Sequence, residues 1–397
     1  MTPAQACSAC GAGGTEQLID FGVVPRSGVF LSAPDAPVSL RSLAFEFCPS
    51  CGLVRQRRFA ESAVDYTDVV RRTDRQLPGY VDEILDRLLI EAATPQGLTV
   101  EVGANDGTFL SRLAAAGVQK RLGVEPSRAL AKLCAEAGHP VEAVHLTEGG
   151  APFLRAVHGA ARAVVCRHTL EHVPDPTALL RAMRLLLAED GVLFLEVPAV
   201  SPILDELKAF ELWDEHLTYF SVENLPAILL AAGFQVGEIS MRDHLVSKNI
   251  LCWAYPARAV AAPSPPSAGA AHLVSSCRDF ARRWHAYRAE ARTAAARWQA
   301  PVVAIGASHP QSNYLLFSGV GERVSMLVDD DPMKVGKYVA LPRPTPIISS
   351  EQLLSEKCVG TLLLTAFGYD GWMNRIKRGL VTAAPCFVDV LDELTRR

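Results

Sequence analysis

Glu101-Val-Gly-Ala-Asn-Asp-Gly107 is the stretch that decides the fold. It closes an apolar strand, Leu98–Gly103, and opens a helix, Thr108–Ala116. Gly103 and Gly107 let the backbone approach a ligand closely at the carboxyl edge of a sheet, where open α/β folds bind their ligands. The spacing E-x-G-x-x-x-G is neither the dinucleotide G-x-G-x-x-G nor a phosphate loop ending in Gly-Lys-Ser/Thr. Glu101 and Asp106, with Asn105 between them, make the turn acidic. An acidic turn repels a pyrophosphate and suits a cation. Glu125 ends the next strand, Arg121–Glu125, and is placed to accept from ribose hydroxyls. Together these features fit S-adenosylmethionine, whose amino-acid end carries an ammonium and a sulfonium. The plain alternative is a glycine-bearing turn in any doubly wound fold, and the acidic pairing argues against it.

Outward from this turn the alternation continues. Val141–His145, Ala161–Cys166 and Gly191–Val197 read as buried strands, with helices Ser127–Gly138 and Pro176–Ala188 among them. Phe234–Ser240 and Asn249–Tyr255 add the last strands. Strands alternating with helices mean a parallel sheet covered on both faces, a Rossmann-like α/β class. Tyr80–Ala93 reads as a preceding helix with Ile84, Leu85, Leu88 and Leu89 on one face. The Pro/Ala/Ser-rich stretch Ala257–Ala271 marks a boundary. Beyond it lie a helix, Ser276–Gln299, and a second, smaller α/β unit: strand Val302–Ile305, helix Ser312–Leu316, and strands Val324–Val328 and Gly360–Leu364. The expected organisation is an N-terminal cysteine-bearing module at 1–60, a helical connector at 61–97, a donor-binding domain at 98–256, a linker at 257–275 and a C-terminal α/β domain at 276–397.

Towards the N-terminus stand two knuckles, Cys7-Ser-Ala-Cys10 and Cys48-Pro-Ser-Cys51, each followed by glycine. Two residues between thiolates let both sulfurs reach one tetrahedral Zn²⁺. A matched pair of C-x2-C motifs points to structural zinc held by Cys7, Cys10, Cys48 and Cys51 more than to a redox dithiol. Four thiolates leave no open position, so this metal is not expected to be catalytic. The intervening residues must fold as hairpins or loops. The other cysteines (134, 166, 252, 277, 358 and 386) sit singly in apolar stretches and are expected in the core.

Composition sets the bounds. The chain has 397 residues, 49% of them hydrophobic, enough for two or three cored domains. With 39 basic and 43 acidic residues the net charge is −4, which argues against nucleic acid as partner. No apolar run reaches the roughly 18 residues of a membrane helix. Met1–Gly14 has neither the basic nor the apolar region of a secretory signal. The expectation is a cytoplasmic protein, monomer or homodimer, acting on a small molecule.

These motifs give the chain a specific likeness. It resembles the three-part sugar C-methyltransferases of the class I methyltransferases. That family joins a four-cysteine zinc module, a central S-adenosylmethionine domain and a C-terminal α/β domain. The markers are the cysteine pairs, Glu101–Gly107, Arg167-His168-Thr-Leu-Glu-His172, Asp214-Glu215-His216, Ile305-Gly-Ala-Ser308 and Asp330-Asp-Pro-Met-Lys-Val-Gly-Lys-Tyr338. The resemblance implies methylation of C3 of a TDP-4-keto-deoxy sugar, as in antibiotic or cell-surface sugar biosynthesis. It adds Arg167 and His168 to the donor contacts.

Methylating such a carbon requires a base to take its proton and a donor to stabilise the enolate oxygen. His216 is the expected base or enolate stabiliser, Glu215 its orienter or a sugar ligand, and His172 a second acid–base group. Tyr219 is expected to pack. The departures from the family lie around the acceptor. Trp213 stands where the family has tyrosine. Leu245-Val246 replaces a glycine pair after His244. The family's tyrosine-rich N-terminal stretch is reduced to Tyr66, and His309-Pro-Gln-Ser-Asn313 replaces a lysine-glycine. In the C-terminal domain Ser308, His309, Asn313 and Lys334 are the candidates for binding an acceptor's diphosphate at a helix start. Two other readings stand beside this one: the same architecture acting by C-, O- or N-methylation on a non-nucleotide acceptor, and a catalytically silent zinc-bearing binding protein.

Overall fold

The computed structural model describes residues 6–57, 77–91, 97–244, 247–257, 269–356, 358–365, 370–380 and 386–390. Tyr66 and the Leu245-Val246 pair lie outside the described residues. The chain divides into two compact units. One comprises Met1–Glu16, Phe47–Val200 and Glu215–Val274; the other comprises Gln17–Glu46, Ser201–Asp214 and Ser275–Arg397.

The N-terminal stretch supplies β1 (Glu16–Pro25), β2 (Phe30–Leu31), β3 (Leu40–Phe47) and β4 (Val54–Gln56). After α1 (Val81–Glu91) the chain alternates: β5 (Leu98–Val102), α2 (Thr108–Ala115), β6 (Arg121–Val124), α3 (Arg128–Glu136), β7 (Val141–Glu142), α4 (Ala151–His158), β8 (Ala161–Arg167), α5 (Pro176–Leu186), β9 (Leu187–Pro198). Then come α6 (Val200–Asp205), β10 (Thr218–Tyr219), α7 (Leu225–Ala231), β11 (Phe234–His244) and β12 (Ser247–Pro256).

The first unit is built on a sheet of order β11-β12-β9-β8-β5-β6-β7. Strands β7, β6, β5, β8 and β9 run parallel, and β12 and β11 close the sheet antiparallel. This is the α/β class expected from the alternation. Its strands read as continuous apolar runs because both faces are covered. Side chains alternate between the faces. Val100, Val102, Val164, Cys166, Leu193 and Leu195 fill one core. Ala163, Val165, Phe194 and Trp253 fill the other, with Ile84, Leu85 and Leu88 of α1 and Phe109 of α2. By the same parity Glu101, Arg167 and Glu196 belong to the second face, at its carboxyl end. The four knuckle cysteines share the first core except Cys10, which packs against it.

Local chemistry sets the helix starts. Ser127 caps α3 by accepting from Leu130 N–H at 3.3 Å, and Asp175 caps α5 by accepting from Ala178 N–H at 3.0 Å, with Pro176 in the first turn.

The second unit follows α8 (Ala270–Ala295): β13 (Val302–Ile305), α9 (His309–Ser318), β14 (Val324–Val328), β15 (Tyr338–Ala340), β16 (Pro344–Ile348), α10 (Ser350–Glu356), β17 (Thr361–Leu364), α11 (Asp370–Gly379) and β18 (Cys386–Asp389). Its sheet has the order β18-β17-β13-β14-β16-β15-β2. Strand β2 therefore reaches this sheet from far upstream, pairing Leu31 with Tyr338 and Phe30 with Val339.

Some sequence expectations change. The strand expected over Val141–His145 ends at Glu142, because β7 is the sheet edge and Val144 N–H turns back to Glu142 O at 3.0 Å. Helix α4 was hidden by Gly149-Gly150 and Pro152, yet proline is tolerated in a first turn. Helix α8 starts at Ala270, inside the expected linker. Cys358 and Cys386 are exposed, so they are not the core residues expected; Cys134, Cys166, Cys252 and Cys277 are buried.

Candidate active site

The turn after β5 is held by its glycines and by one carboxylate. Gly103 has φ +79° and Gly107 φ +81°, both in the left-handed region. A Cβ on Gly103 would lie 2.1 Å from Thr169 Oγ1, so only glycine fits against the loop after β8. Asn105 also adopts a positive φ, +50°. Glu125, just beyond β6, reaches across to this turn. Its Oε2 accepts from Asn105 N–H and its Oε1 from Ser127 N–H, each at 2.8 Å. Asp106 accepts from the Thr108 hydroxyl at 2.7 Å and its N–H at 3.2 Å, which anchors the start of α2.

Glu101 lies beneath this turn, 4% exposed, and its Oε2 has no hydrogen-bond partner among the described residues. Burial, reinforced by the Glu125 and Asp106 charges and opposed by Arg167, pushes its carboxyl up to about 8. An orphaned buried acceptor in an acidic, glycine-lined turn fits a ligand's ammonium.

Next to it lies a network that sequence reading missed. Fully buried Glu196 accepts from Tyr80 Oη at 2.5 Å, Asn249 Nδ2 at 2.8 Å and Arg167 Nε at 2.5 Å. The Arg167 guanidinium lies 4.7 Å from the Phe109 ring centre. Arg167 is therefore spent on Glu196. His168, at φ +47°, brings Nε2 within 3.4 Å of Glu196 and Nδ1 within 3.5 Å of Glu171. Burial works against its charge, but the Glu171 and Glu196 carboxylates outweigh it and push the imidazole up to about 9. His244 lies beside it, ring centres 5.6 Å apart. A lone glutamate inside the apolar run Gly191–Val197 was the available signal for this network, since a buried carboxylate must find partners.

The catalytic candidates meet. His172 and His216 stand edge-on, ring centres 4.7 Å apart. His172 Nδ1 lies 3.0 Å from the backbone carbonyl of Glu215. A carbonyl only accepts, so Nδ1 carries the hydrogen and Nε2 of the neutral ring is the basic nitrogen. Glu215 thus orients His172 through its backbone; its own side chain is buried. One oxygen of Glu171 and one ring nitrogen from each of His172 and His216 lie within 4.8 Å of one another. Tyr219 is 1% exposed and packs, with its ring 5.5 Å from that of His216.

In the second unit, Trp213 stacks on His309 with ring centres 4.2 Å apart and planes 19° apart. Asn313 is buried between Ser27 Oγ, which donates to it at 3.1 Å, and the Phe210 carbonyl at 3.3 Å. The Ser308 hydroxyl donates to Gln311. Lys334 pairs with Asp329 at 2.9 Å and Asp331 at 3.9 Å, and Asp329 also accepts from Ala307 N–H at 3.1 Å. The polar groups of this strand-to-helix turn are largely satisfied by each other.

The four knuckle sulfurs lie within 4.8 Å of one another, with Cys7–Cys51 and Cys10–Cys48 each at 3.6 Å. Tetrahedral Zn–S bonds of about 2.3 Å place sulfurs about 3.8 Å apart, so these thiols fit zinc without rearrangement.

Comparison with known proteins bears on this domain. Residues 73–239 match the family model described as a methyltransferase domain. The chain is 28% identical over 262 residues to the C-methyltransferase NovU of Streptomyces niveus, a match covering 65% of this chain and 62% of that relative's length. Among solved structures, magnesium protoporphyrin IX methyltransferase (ChlM) from Synechocystis PCC 6803 with bound SAH is 17% identical, covering 47% of this chain and 90% of its own, with a TM-score of 0.36. A SAM-dependent methyltransferase from Anabaena variabilis is 12% identical, covering 48% and 99%, also with a TM-score of 0.36. Residues 73–239 thus match a methyltransferase-domain family, in a chain that resembles a C-methyltransferase.

Proposed function

We propose that the protein is an S-adenosylmethionine-dependent C-methyltransferase whose acceptor is a nucleotide-linked keto-deoxy sugar. The observation that carries this reading is the His172–His216 pair, rings edge-on 4.7 Å apart, one residue of which follows β8 and turns its Nδ1 to the Glu215 carbonyl. O-methylation of a hydroxyl asks for one base, whereas carbon methylation asks for a base and, beside it, a donor to the enolate oxygen, the two roles that a pair of imidazoles supplies.

The donor is held by the turn from Glu101 to Gly107, with Glu101 on the ammonium and Glu125 on the ribose. Bound S-adenosylmethionine supplies a sulfonium methyl group: the acceptor carbon takes the methyl carbon, and the S–C electron pair stays on sulfur. His172 Nε2 takes the proton from the carbon α to the ketone; the C–H pair becomes the enolate C=C bond as the C=O π pair moves onto oxygen, and the C=C pair then forms the new bond to the methyl carbon as the carbonyl reforms. His216 donates a hydrogen bond to that enolate oxygen, a contribution typically of 10²–10³-fold. The net change is one methyl gained and one proton released per turnover. Zinc at Cys7, Cys10, Cys48 and Cys51 is structural in this account, because four thiolates fill a tetrahedron.

A second acceptor class is favoured by one observation: Lys334 is already neutralised by Asp329 and Asp331. A non-nucleotide acceptor would need no phosphate partner there. Calorimetric titration of TDP into protein saturated with S-adenosylhomocysteine separates the two. Micromolar binding, about −8 kcal/mol, supports the nucleotide sugar; no heat removes it while leaving the methyltransferase.

A further inference from the structure

We propose that Glu171 is the positioning carboxylate of the His172–His216 pair, holding the counter-charge for the imidazolium that forms when His172 takes the acceptor's proton. This deepens the reading above and rests on it.

Glu171 is 1% exposed, and neither carboxylate oxygen has a hydrogen-bond partner among the described residues. A buried carboxylate without hydrogen bonds is costly unless positive charge stands near it. The groups around it answer that need. His168 Nδ1 is 3.5 Å away, and ring nitrogens of His172 and His216 lie within 4.8 Å. The segment is fixed from the other side by Leu217 N–H, which donates to the Glu171 carbonyl at 2.7 Å and so ties the residue after His216 to the residue before His172.

The other titratable groups facing this cluster do different work. Glu215 is buried but meets His172 through its backbone carbonyl. Glu196 is shared among Arg167, Tyr80, Asn249 and His168. Cys166 lies below on β8, its thiol pushed up chiefly by burial and further by the Glu171 charge. Tyr219 packs against His216. Glu171 is thus placed to favour protonation of the pair, as a carboxylate favours the charged form of a neighbouring base.

The test is Glu171→Gln, read by the histidine C2–H titration of His172 in the protein without acceptor, assigned by its loss in His172→Ala. The titration midpoint falls by about 0.6 pH unit or more, the effect of one charge within 4.8 Å even at the dielectric of water. The acid limb of kcat/KM moves down by the same amount, and Glu171→Asp restores it. If Glu171→Gln does not fold, His168→Gln/Glu171→Gln is compared with His168→Gln, so that the two differ only in the carboxylate's charge and the midpoint difference between them is read instead. An unmoved midpoint in the folded variant overturns the proposal. The titration needs no turnover, so a shifted midpoint in a protein that methylates no keto sugar would sink the functional reading and leave this one standing.

Discussion

Glu125 Oε2 accepts the backbone N–H of Asn105 at 2.8 Å, so the carboxylate proposed to meet the donor's ribose also ties down the turn proposed to receive the donor. Its other oxygen holds Ser127 N–H, at the start of α3. A carboxylate has lone pairs for two amides and a ribose hydroxyl together. Glu125→Ala therefore strands two amides as well as losing a ligand contact. We expect the Kd for S-adenosylhomocysteine to rise at least tenfold, about 1.4 kcal/mol, with a lower Tm. Calorimetry and a thermal melt on the same sample check both, and an unchanged Kd would remove Glu125 from the donor site.

Glu101 should give the proposed donor site a pH dependence. Its folded pKa of about 8 lies above the ordinary 4.5, so between these values the folded protein holds a proton that the unfolded chain has lost. The sign follows: this group's contribution to stability falls as pH rises through that window. A cationic donor takes Glu101 as the carboxylate, so its uptake below pH 8 releases a proton. Affinity then rises with pH by up to tenfold per unit and levels off above 8. Donor Kd values from pH 6 to 9 should show this slope in the wild type and a flat line in Glu101→Gln.

The two histidines separate binding from chemistry. His216→Ala loses the enolate donor and should lower kcat by 10²–10³-fold. His172→Ala loses the base, for roughly 10²–10⁴-fold. Neither should change the Kd for S-adenosylhomocysteine by more than about twofold, since the proposal gives that contact to Glu101 and Glu125. A variant that keeps the full rate would displace its residue from the assigned role.

The cysteine cluster should bind one zinc per chain. Cys7, Cys48 and Cys51 belong to the core under the methyltransferase sheet, so losing the metal loosens more than a peripheral knuckle. Chelation or Cys48→Ser should lower Tm by several degrees and reduce donor binding only through that loss of folded protein. Metal analysis that finds no zinc in fully folded, active protein would contradict the assignment.

Much of this was legible in the chain itself. The sheet could be read because parallel strands buried on both faces are apolar without interruption, and Glu101–Gly107 marks their carboxyl edge. The histidines were legible as motif members, and the structure adds that they touch. The network of Tyr80, Glu196 and Asn249 was not legible, because its members are far apart in sequence: β9–β12 pairing brings Glu196 and Asn249 together, and Tyr80 reaches them from the residue before α1. Glu171 stood inside the quoted motif, but a helical-turn glutamate looks solvent-facing until its burial is known. Helix α4 and the short strands β15 and β16 escaped because Gly, Pro and brief runs carry little periodic signal.

The central claim is carbon methylation, and ¹³C NMR tests it most directly. The protein is incubated with S-adenosylmethionine carrying a ¹³C-methyl group and with a TDP-linked 4-keto-6-deoxy sugar. The account predicts a new methyl resonance bonded to the carbon beside the ketone, formed one-to-one with S-adenosylhomocysteine and at least about 10²-fold more slowly with His172→Ala. A labelled methyl found on oxygen or nitrogen, or on carbon at undiminished rate in that variant, would contradict it.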